Sequence, residues 1–207
     1  LTKIIKNYGT LPFAGIARMA FISQIILLDL KKIKLISESE FENFFKSLKL
    51  INSNIFHDHN KVIDKKLAKA LFLKKYGHIR PSTYDINSLN YKENYKNYFS
   101  RKKSKTSNNI KNLTKFKNSK KLNQLFLKTY NIKFIDFLKF AKQTITNREY
   151  SKFVFSQGIN KIFENLIILS KEINIPRSDL CYLDIKNILN YYSKLEPRKL
   201  KGVFLEE

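Results

Sequence analysis

The chain has 207 residues with a hydrophobic fraction of 43% and an aromatic fraction of 14%, which exclude a disordered protein and suit one folded domain. Its formal net charge of +23 invites a nucleic-acid or anionic-membrane partner, although general use of Lys on the surface explains the charge more simply. The single cysteine, Cys181, excludes an intrachain disulfide, and its apolar neighbours predict a small buried core residue.

Residues that favour turns are scarce. Five Gly and four Pro leave little turn chemistry for a fold with many strands, so long helices with few connections are the simplest solution. We therefore expect an all-α or mostly α fold, an irregular helical bundle that forms a single domain over residues 1–207. We also expect the chain to be a piece of a longer protein.

The first predicted helix covers residues 11–33 and has Pro12 in its first turn, where a missing N–H costs nothing. Its apolar residues run nearly all round, which predicts a central, buried helix. Arg18 and Asp29 interrupt the apolar run, and residues 25–28 are far too few to cross a bilayer, so we expect no membrane span.

Two further helices are predicted before residue 77. Ser37 and Glu40 form a capping box that opens the second helix. Its apolar face is formed by Phe41, Phe44, Phe45, Leu48 and Ile55.

The third predicted helix carries the apolar residues Val62, Ile63, Leu67, Ala70, Leu71 and Phe72. Lys74 and Lys75 suit its last turn, and Gly77 is expected to end it with a positive φ.

The second half of the chain contains a basic stretch and then further helices. Residues 90–99 predict a short helix, and residues 101–121 predict a solvated, mobile basic loop of low complexity. An apolar pattern returns from Leu122 to about Thr144. Thr146 and Glu149 form a second capping box, which predicts the start of the longest helix, ended by Pro176. Asp184 to Leu195 predicts a short closing helix, ended by Pro197.

Standard catalytic motifs are absent from the sequence. It has no phosphate-binding glycine loop and no G-x-S-x-G motif. His57 and His59 stand two residues apart, but a third metal ligand is missing, so surface polar residues at a helix junction are the better interpretation. We expect no metal or cofactor site in this chain.

The stretch KKYGHIRPSTYDI, residues 74–86, holds the best candidate for a binding site. Arginine is scarce in this chain, so a position that has Arg in place of the abundant Lys can require the planar guanidinium. Such positions include Arg18 and Arg80. Pro81 restricts Arg80 to an extended backbone. His78, Thr83, Tyr84 and Asp85 add an imidazole, two hydroxyls and a carboxylate. Together they suit a small zwitterionic or phosphorylated ligand; a loop that hydrogen-bonds to itself is the alternative.

Four blocks of sequence, in order, resemble one enzyme family. They are similar to segments of the middle region of phosphotransferases related to phosphoenolpyruvate synthase and pyruvate phosphate dikinase. In chain order the four blocks are LPFAGIARMAFI, KYGHIRPSTYDI, TNREYSKFVFSQGINKIFE and IPRSDLCYLDIKNIL. The similar branch includes L-glutamine kinase of capsule phosphoramidate biosynthesis. Ser82 replaces a Gly of the family pattern, Asn90 an Arg, and Lys92 an Asp.

The resemblance implies a cytoplasmic, modular enzyme. Its ATP-grasp domain would use ATP and Mg²⁺, and a histidine on a swivelling domain would carry the phosphoryl group to a small-molecule acceptor, for example an amino acid such as glutamine. This chain is similar only to the helical middle region, which would bind the acceptor and not turn over ATP alone. His78, Arg80, Thr83, Tyr84, Asp85 and Arg18 are the implied substrate-binding residues.

Two other functions stay open at this point. A basic helical module could bind nucleic acid or an anionic surface through residues 101–121, although that stretch lacks the Arg and interleaved aromatics of a single-strand binding platform. The chain could also be a truncated remnant without function.

Overall fold

The two longest helices lie antiparallel and form the centre of the fold. A computed structural model describes residues 1–99 and 115–184. Contacts between the two helices run in opposite directions: Ser23 hydrogen-bonds Thr144 at 3.3 Å, and the rings of Phe13 and Phe155 lie 5.0 Å apart. The shorter helices pack around this pair.

All regular elements in the described residues are helical, which confirms the predicted all-α class. The α-helices are α1 (Thr2–Ile5), α2 (Leu11–Lys32), α3 (Glu38–Lys46), α4 (Ile51–Ile63), α5 (Lys69–Tyr76), α6 (Tyr95–Tyr98), α7 (Ser119–Tyr130) and α8 (Phe134–Glu172). A π-helical turn, Lys6–Thr10, joins α1 to α2, and a 3₁₀ helix covers Arg177–Tyr182.

The N-terminal helix begins earlier than predicted. The α-helix α2 begins at Leu11 with Pro12 in its first turn, as predicted, but α1 and the π-helical turn extend the helix back to Thr2. The π-helical turn stands directly before Pro12, whose ring would clash with the carbonyl four residues back in a regular helix. The expected burial on all sides is wrong, because only 22% of the most apolar 18-residue window is buried. The helix is long and apolar enough to cross a bilayer, a property shared by core helices.

Two glycines allow close packing between the start of this helix and α8. A Cβ built on Gly9 would lie 2.9 Å from the Cβ of Phe155, and one on Gly158 would lie 2.7 Å from the side chain of Ile5. A side chain at Gly9 would therefore force Phe155 to shift, whereas at Gly158 the flexible end of the Ile5 side chain would have to move aside.

The capping box at Ser37 is confirmed, but the predicted second helix is divided. The Ser37 hydroxyl accepts from the Glu40 N–H at 3.2 Å, and the Glu40 carboxylate accepts from the Ser37 N–H at 2.7 Å. Helix α3 then ends at Lys46, and Ile55 belongs to α4. The third predicted helix is interrupted too, since Lys65 has a φ of 58° between α4 and α5.

The longest helix does not begin at Thr146. Helix α8 runs without interruption over 39 residues, and its first residue is Phe134. The turn before it is made by Asn131, whose φ of 55° ends α7. Thr146 lies in the middle of α8, so its hydroxyl cannot act as an N-cap. The helix ends at Glu172, four residues before Pro176.

The main apolar core joins α2, α3, α7 and α8. Its buried members include Leu27, Leu30, Phe44, Leu122, Phe126, Phe137 and Ala141. Phe116 belongs to the same core, and the Lys117 N–H donates to the Glu40 carboxylate at 2.6 Å. The end of the predicted basic loop is therefore anchored, and α7 begins at Ser119.

The rest of the basic loop, residues 101–114, and the predicted closing helix beyond Asp184 lie outside the described residues. The short helix predicted at 90–99 is a single turn, Tyr95–Tyr98.

Cys181 is exposed in the 3₁₀ helix, where its thiol donates to the Ser178 carbonyl at 3.0 Å, so the expectation of a buried core residue is wrong.

Candidate functional site

Residues 77–92 form a loop whose two ends are joined by backbone hydrogen bonds. The Lys92 N–H donates to the Gly77 carbonyl at 3.1 Å, and the Tyr91 N–H donates to the Ile79 carbonyl at 2.8 Å. Gly77 has a φ of −61°, so the predicted positive φ is wrong. Glycine is required there for space, because a Cβ would lie 3.2 Å from the Cβ of Lys92 and against the Leu73 carbonyl.

Arg80 lies inside this 77–92 loop with only 4% of its surface exposed. Its guanidinium donates to the Ser88 carbonyl at 3.2 Å and to the Asp85 carbonyl at 3.5 Å. It also donates to the Asn160 side chain of α8 and lies 4.9 Å from the Phe163 ring centroid. Arg80 therefore fastens the loop to α8 by a planar set of donors that Lys could not reproduce.

A second set of polar contacts extends from Asn160 along the loop. The Asn160 Oδ1 atom accepts from the Asn90 amide at 3.0 Å, and the Asn90 and Glu93 backbone N–H groups each donate to the other residue's side chain at 2.8 Å. Glu93 pairs with Arg177 at 2.7 Å, and Arg177 also donates to the Ile86 carbonyl. The 77–92 loop, α8 and the 3₁₀ helix are thus joined by one network of hydrogen bonds and an ion pair.

The network changes the ionisation of Glu93. Partial burial acts to raise the pKa of its carboxyl, but hydrogen bonds from Arg177 and from the Asn90 N–H bring the pKa below its usual value. Glu93 therefore stays charged at neutral pH and offsets the buried charge of Arg80.

The remaining predicted residues occupy different surroundings. The Asp85 carboxylate is exposed and accepts from the Asn87 N–H at 2.8 Å, so it stabilises its own turn. Tyr84 is exposed, and Thr83 is half-buried. Arg18 is exposed on α2 and does not line the cavity beside the loop.

His78 is half-buried against α8. One of its ring nitrogens lies 3.1 Å from the Phe153 carbonyl, and the two rings are 5.0 Å apart. Burial lowers the pKa of His78, and the contact with the carbonyl opposes this only in part. The imidazole is therefore neutral near pH 7.

A cavity of about 240 Å³ lies between the loop, α4 and α8. Its polar lining includes Asn52, Arg80, Thr83, Glu149 and Lys152. Glu149 is paired with Arg148 at 2.9 Å. By contrast, the side chains of Asn52, Thr83 and Lys152 make no hydrogen bond or ion pair with another described residue. The ammonium of Lys152, the hydroxyl of Thr83 and the amide of Asn52 are thus available to bind a polar ligand.

An aromatic cluster supports the side of this cavity formed by α4, where Ile55 belongs to both. His59, Phe72, Tyr76, Tyr95 and Phe99 pack ring against ring, with Phe72 and Tyr76 fully buried. The interpretation of His59 as a surface residue is wrong, because it is buried inside α4 while His57 is exposed. Two residues apart on a helix, these imidazoles point in different directions and cannot share one metal ion.

We expect stability to fall as the pH drops below about 6.5, the ordinary pKa of histidine. Burial lowers the pKa of both His59 and His78 in the folded chain. Below pH 6.5 the unfolded chain therefore binds protons that the folded chain does not, and the free energy of unfolding decreases. Above that pH the two histidines are neutral in both the folded and the unfolded chain, so they no longer lower the free energy of unfolding. Urea unfolding at about pH 7.5, 6.5 and 5.5 measures the effect.

The matched variant for this measurement is His59→Phe, which keeps a ring in the cluster but cannot titrate. It should lose less stability than the parent between pH 7.5 and 5.5. The carboxyls with lowered pKa, those of Glu40, Asp58 and Glu93, respond only at still lower pH, below about 5. Equal acid sensitivity of both proteins would contradict the role of His59.

Several residues of the site escaped sequence reasoning. Lys152 and Asn52 resemble ordinary surface residues, and Asn160 and Glu93 acquire their role only through contacts with distant segments. The stretch around Asn160, FSQGINKIFE, mixes polar and apolar residues, so nothing local marks this amide as buried.

Comparisons with known proteins find no counterpart for this chain: no family model, no curated protein and no solved structure matches it.

Proposed function

We propose that this chain is the acceptor-binding region of an ATP-dependent phosphotransferase that works through a phosphohistidine carrier domain on another part of the enzyme. The proposal is supported by the coincidence of two observations. KYGHIRPSTYDI carries the resemblance to the phosphotransferase family, and the same segment forms one wall of the cavity beside α8. ATP and Mg²⁺ belong to the ATP-grasp domain in this proposal.

The single observation that carries the proposal is the ammonium of Lys152 on α8, which lines the same cavity as Thr83 of the loop and pairs with no described residue. A cation without a described partner, beside a hydroxyl in a concave site, suits the carboxylate or phosphoryl oxygens of a small acceptor. Asn52 adds an amide that can donate or accept. Arg80 then acts by holding the loop in place, because its donors already serve the Asp85 and Ser88 carbonyls and Asn160.

The exposed part of the loop has a second role in the proposal. Tyr84 and Asp85 project from the same turn that borders the cavity and are available to a carrier domain that docks there. Alignment of acceptor and phosphohistidine supplies much of the rate advantage of phosphoryl transfer. A rigid loop that touches both partners would provide this alignment, while His78, neutral and in contact with the Phe153 carbonyl, keeps the loop against α8.

The test separates the two half-reactions of the complete enzyme. Lys152→Ala should lower acceptor-dependent turnover by about 10- to 100-fold, the value of a lost charge-assisted hydrogen bond, and leave phosphorylation of the carrier histidine by ATP unchanged. In the isolated chain, millimolar L-glutamine and inorganic phosphate serve as probes, and a rise in Tm that Lys152→Ala abolishes reports binding.

Lys142→Ala is the matched control, since Lys142 is exposed on the same helix and does not line the cavity. It should leave both half-reactions unchanged. An equal loss of both half-reactions in Lys152→Ala, or no loss in either, would overturn the proposal.

A further inference from the structure

Helix α2 exposes an aliphatic face that no described part of the chain covers. Leu11, Met19, Ile22 and Ile25 are all exposed, and their spacing places them on one side of the helix. The most apolar 18-residue window has a mean hydropathy of 1.8, yet only 22% of it is buried. A continuous apolar surface of this kind marks a place of interaction.

The opposite face of α2 is firmly attached to the domain. Ala17, Ala20, Leu27 and Leu30 are buried there, and Ser23 is fully buried with a hydrogen bond to Thr144 of α8. The exposed side is therefore presented by a helix that lies along the surface of a folded domain. This is the arrangement of a helix that binds in the plane of a membrane interface.

The charges on this helix indicate which surface it meets. Three exposed cationic side chains on this helix or on the turns before it pair with no described acid: Lys3, Lys6 and Arg18. Lys31, by contrast, is paired with Glu38 at 3.0 Å. Its one acid, Asp29, is already paired with Lys32 at 3.1 Å. A second copy of the chain would bring two such cationic helices together, each on a protein of net charge +23. Aliphatic side chains offer no stacking surface to nucleic acid.

We propose that this face binds the interface of an anionic lipid bilayer, with α2 parallel to the membrane plane. Leu11, Met19, Ile22 and Ile25 enter the boundary between headgroups and acyl chains. Arg18, exposed beside them, extends its guanidinium to the lipid phosphates, and Lys3 and Lys6, exposed before the helix, contact the same layer. This inference does not depend on the proposed enzymatic role.

The experiment uses the absence of Trp from the sequence. A single Trp introduced by Ile22→Trp should shift its emission to the blue with vesicles of phosphatidylglycerol and phosphatidylcholine, and brominated lipid should quench it. The matched control is Ile168→Trp, because both isoleucines are 56% exposed on helices. Position 168 lies thirteen residues from Phe155, which faces α2, and so points to about the opposite side of α8. We expect no shift at position 168.

A second comparison separates apolar insertion from general attraction of a basic protein. The double variant Ile22→Ser/Ile25→Ser should bind the anionic vesicles about tenfold more weakly at physiological salt, whereas Ile168→Ser should bind like the parent. Unchanged binding of the double variant would overturn the proposal, since charge alone would then explain it. Equal shifts at positions 22 and 168, no shift at either, or a shift at position 22 that follows protein concentration without vesicles would overturn it too.

Discussion

Arg80→Ala should lower the free energy of unfolding by about 4 kcal/mol, because it removes a buried charged donor and three of the hydrogen bonds that hold the loop on α8. Arg80 is 4% exposed, and the Asp85 and Ser88 carbonyls and the Asn160 side chain all accept hydrogen bonds from it. Equilibrium unfolding in urea, followed by far-UV circular dichroism, gives the value. Arg80→Lys should lose about half as much, since it keeps the charge but not the planar fork.

The matched control for this prediction is Arg18→Ala. Arg18 is exposed on α2, so its removal should change stability by less than about 0.5 kcal/mol. A double-mutant cycle between Arg80 and Asn160 should show a coupling of about 1 to 2 kcal/mol, because the two side chains share one buried hydrogen bond. An Arg80→Ala protein as stable as Arg18→Ala would show that the loop does not need its buried arginine.

Phe72→Ala should also cost about 4 kcal/mol, since it opens a cavity in a closely packed cluster. Phe72 is fully buried, with ring centroids of Tyr76 and Phe99 at 5.1 and 5.2 Å and His59 at 5.8 Å. The same urea unfolding measures the loss. Because the cluster joins α4 to α5, the wall of the candidate site at Ile55 should loosen in this variant.

Leu71→Ala is the natural control, because Leu71 precedes Phe72 in the chain but is 57% exposed. Its loss of stability should stay below about 1 kcal/mol. Similar losses for Leu71→Ala and Phe72→Ala would mean that α5 is not held by the aromatic cluster.

Two capping-box patterns of the same kind occur in the sequence, but only one of them begins a helix. Ser37 and Glu40 cap a helix, whereas Thr146 and Glu149 lie inside one. A capping box contributes about 1 kcal/mol, which does not offset the packing lost if a helix is interrupted. Around Thr146 the packing against α2 continues on both sides, through Thr144 and Phe155, so the helix continues as well.

The candidate site was recognised only in part for a related reason. Arg80 was conspicuous as an arginine beside proline in a chain dominated by lysine, and it does occupy a special position. Its main partner, Asn160, is 80 residues away in the sequence, and nothing local to either residue predicts the contact. The free ammonium of Lys152 was equally invisible, because Lys is common throughout this chain.

The sequence by itself determined the helical class, the cap at Ser37 and the place of the 77–92 loop after α5. These depend on interactions between residues at most four positions apart, such as capping hydrogen bonds and the period of apolar side chains. Only the tertiary structure decided that Arg80 is buried, that His59 lies in an aromatic cluster and that one face of α2 is exposed. Burial depends on which distant segments meet, and the free energy of those contacts outweighs local preference.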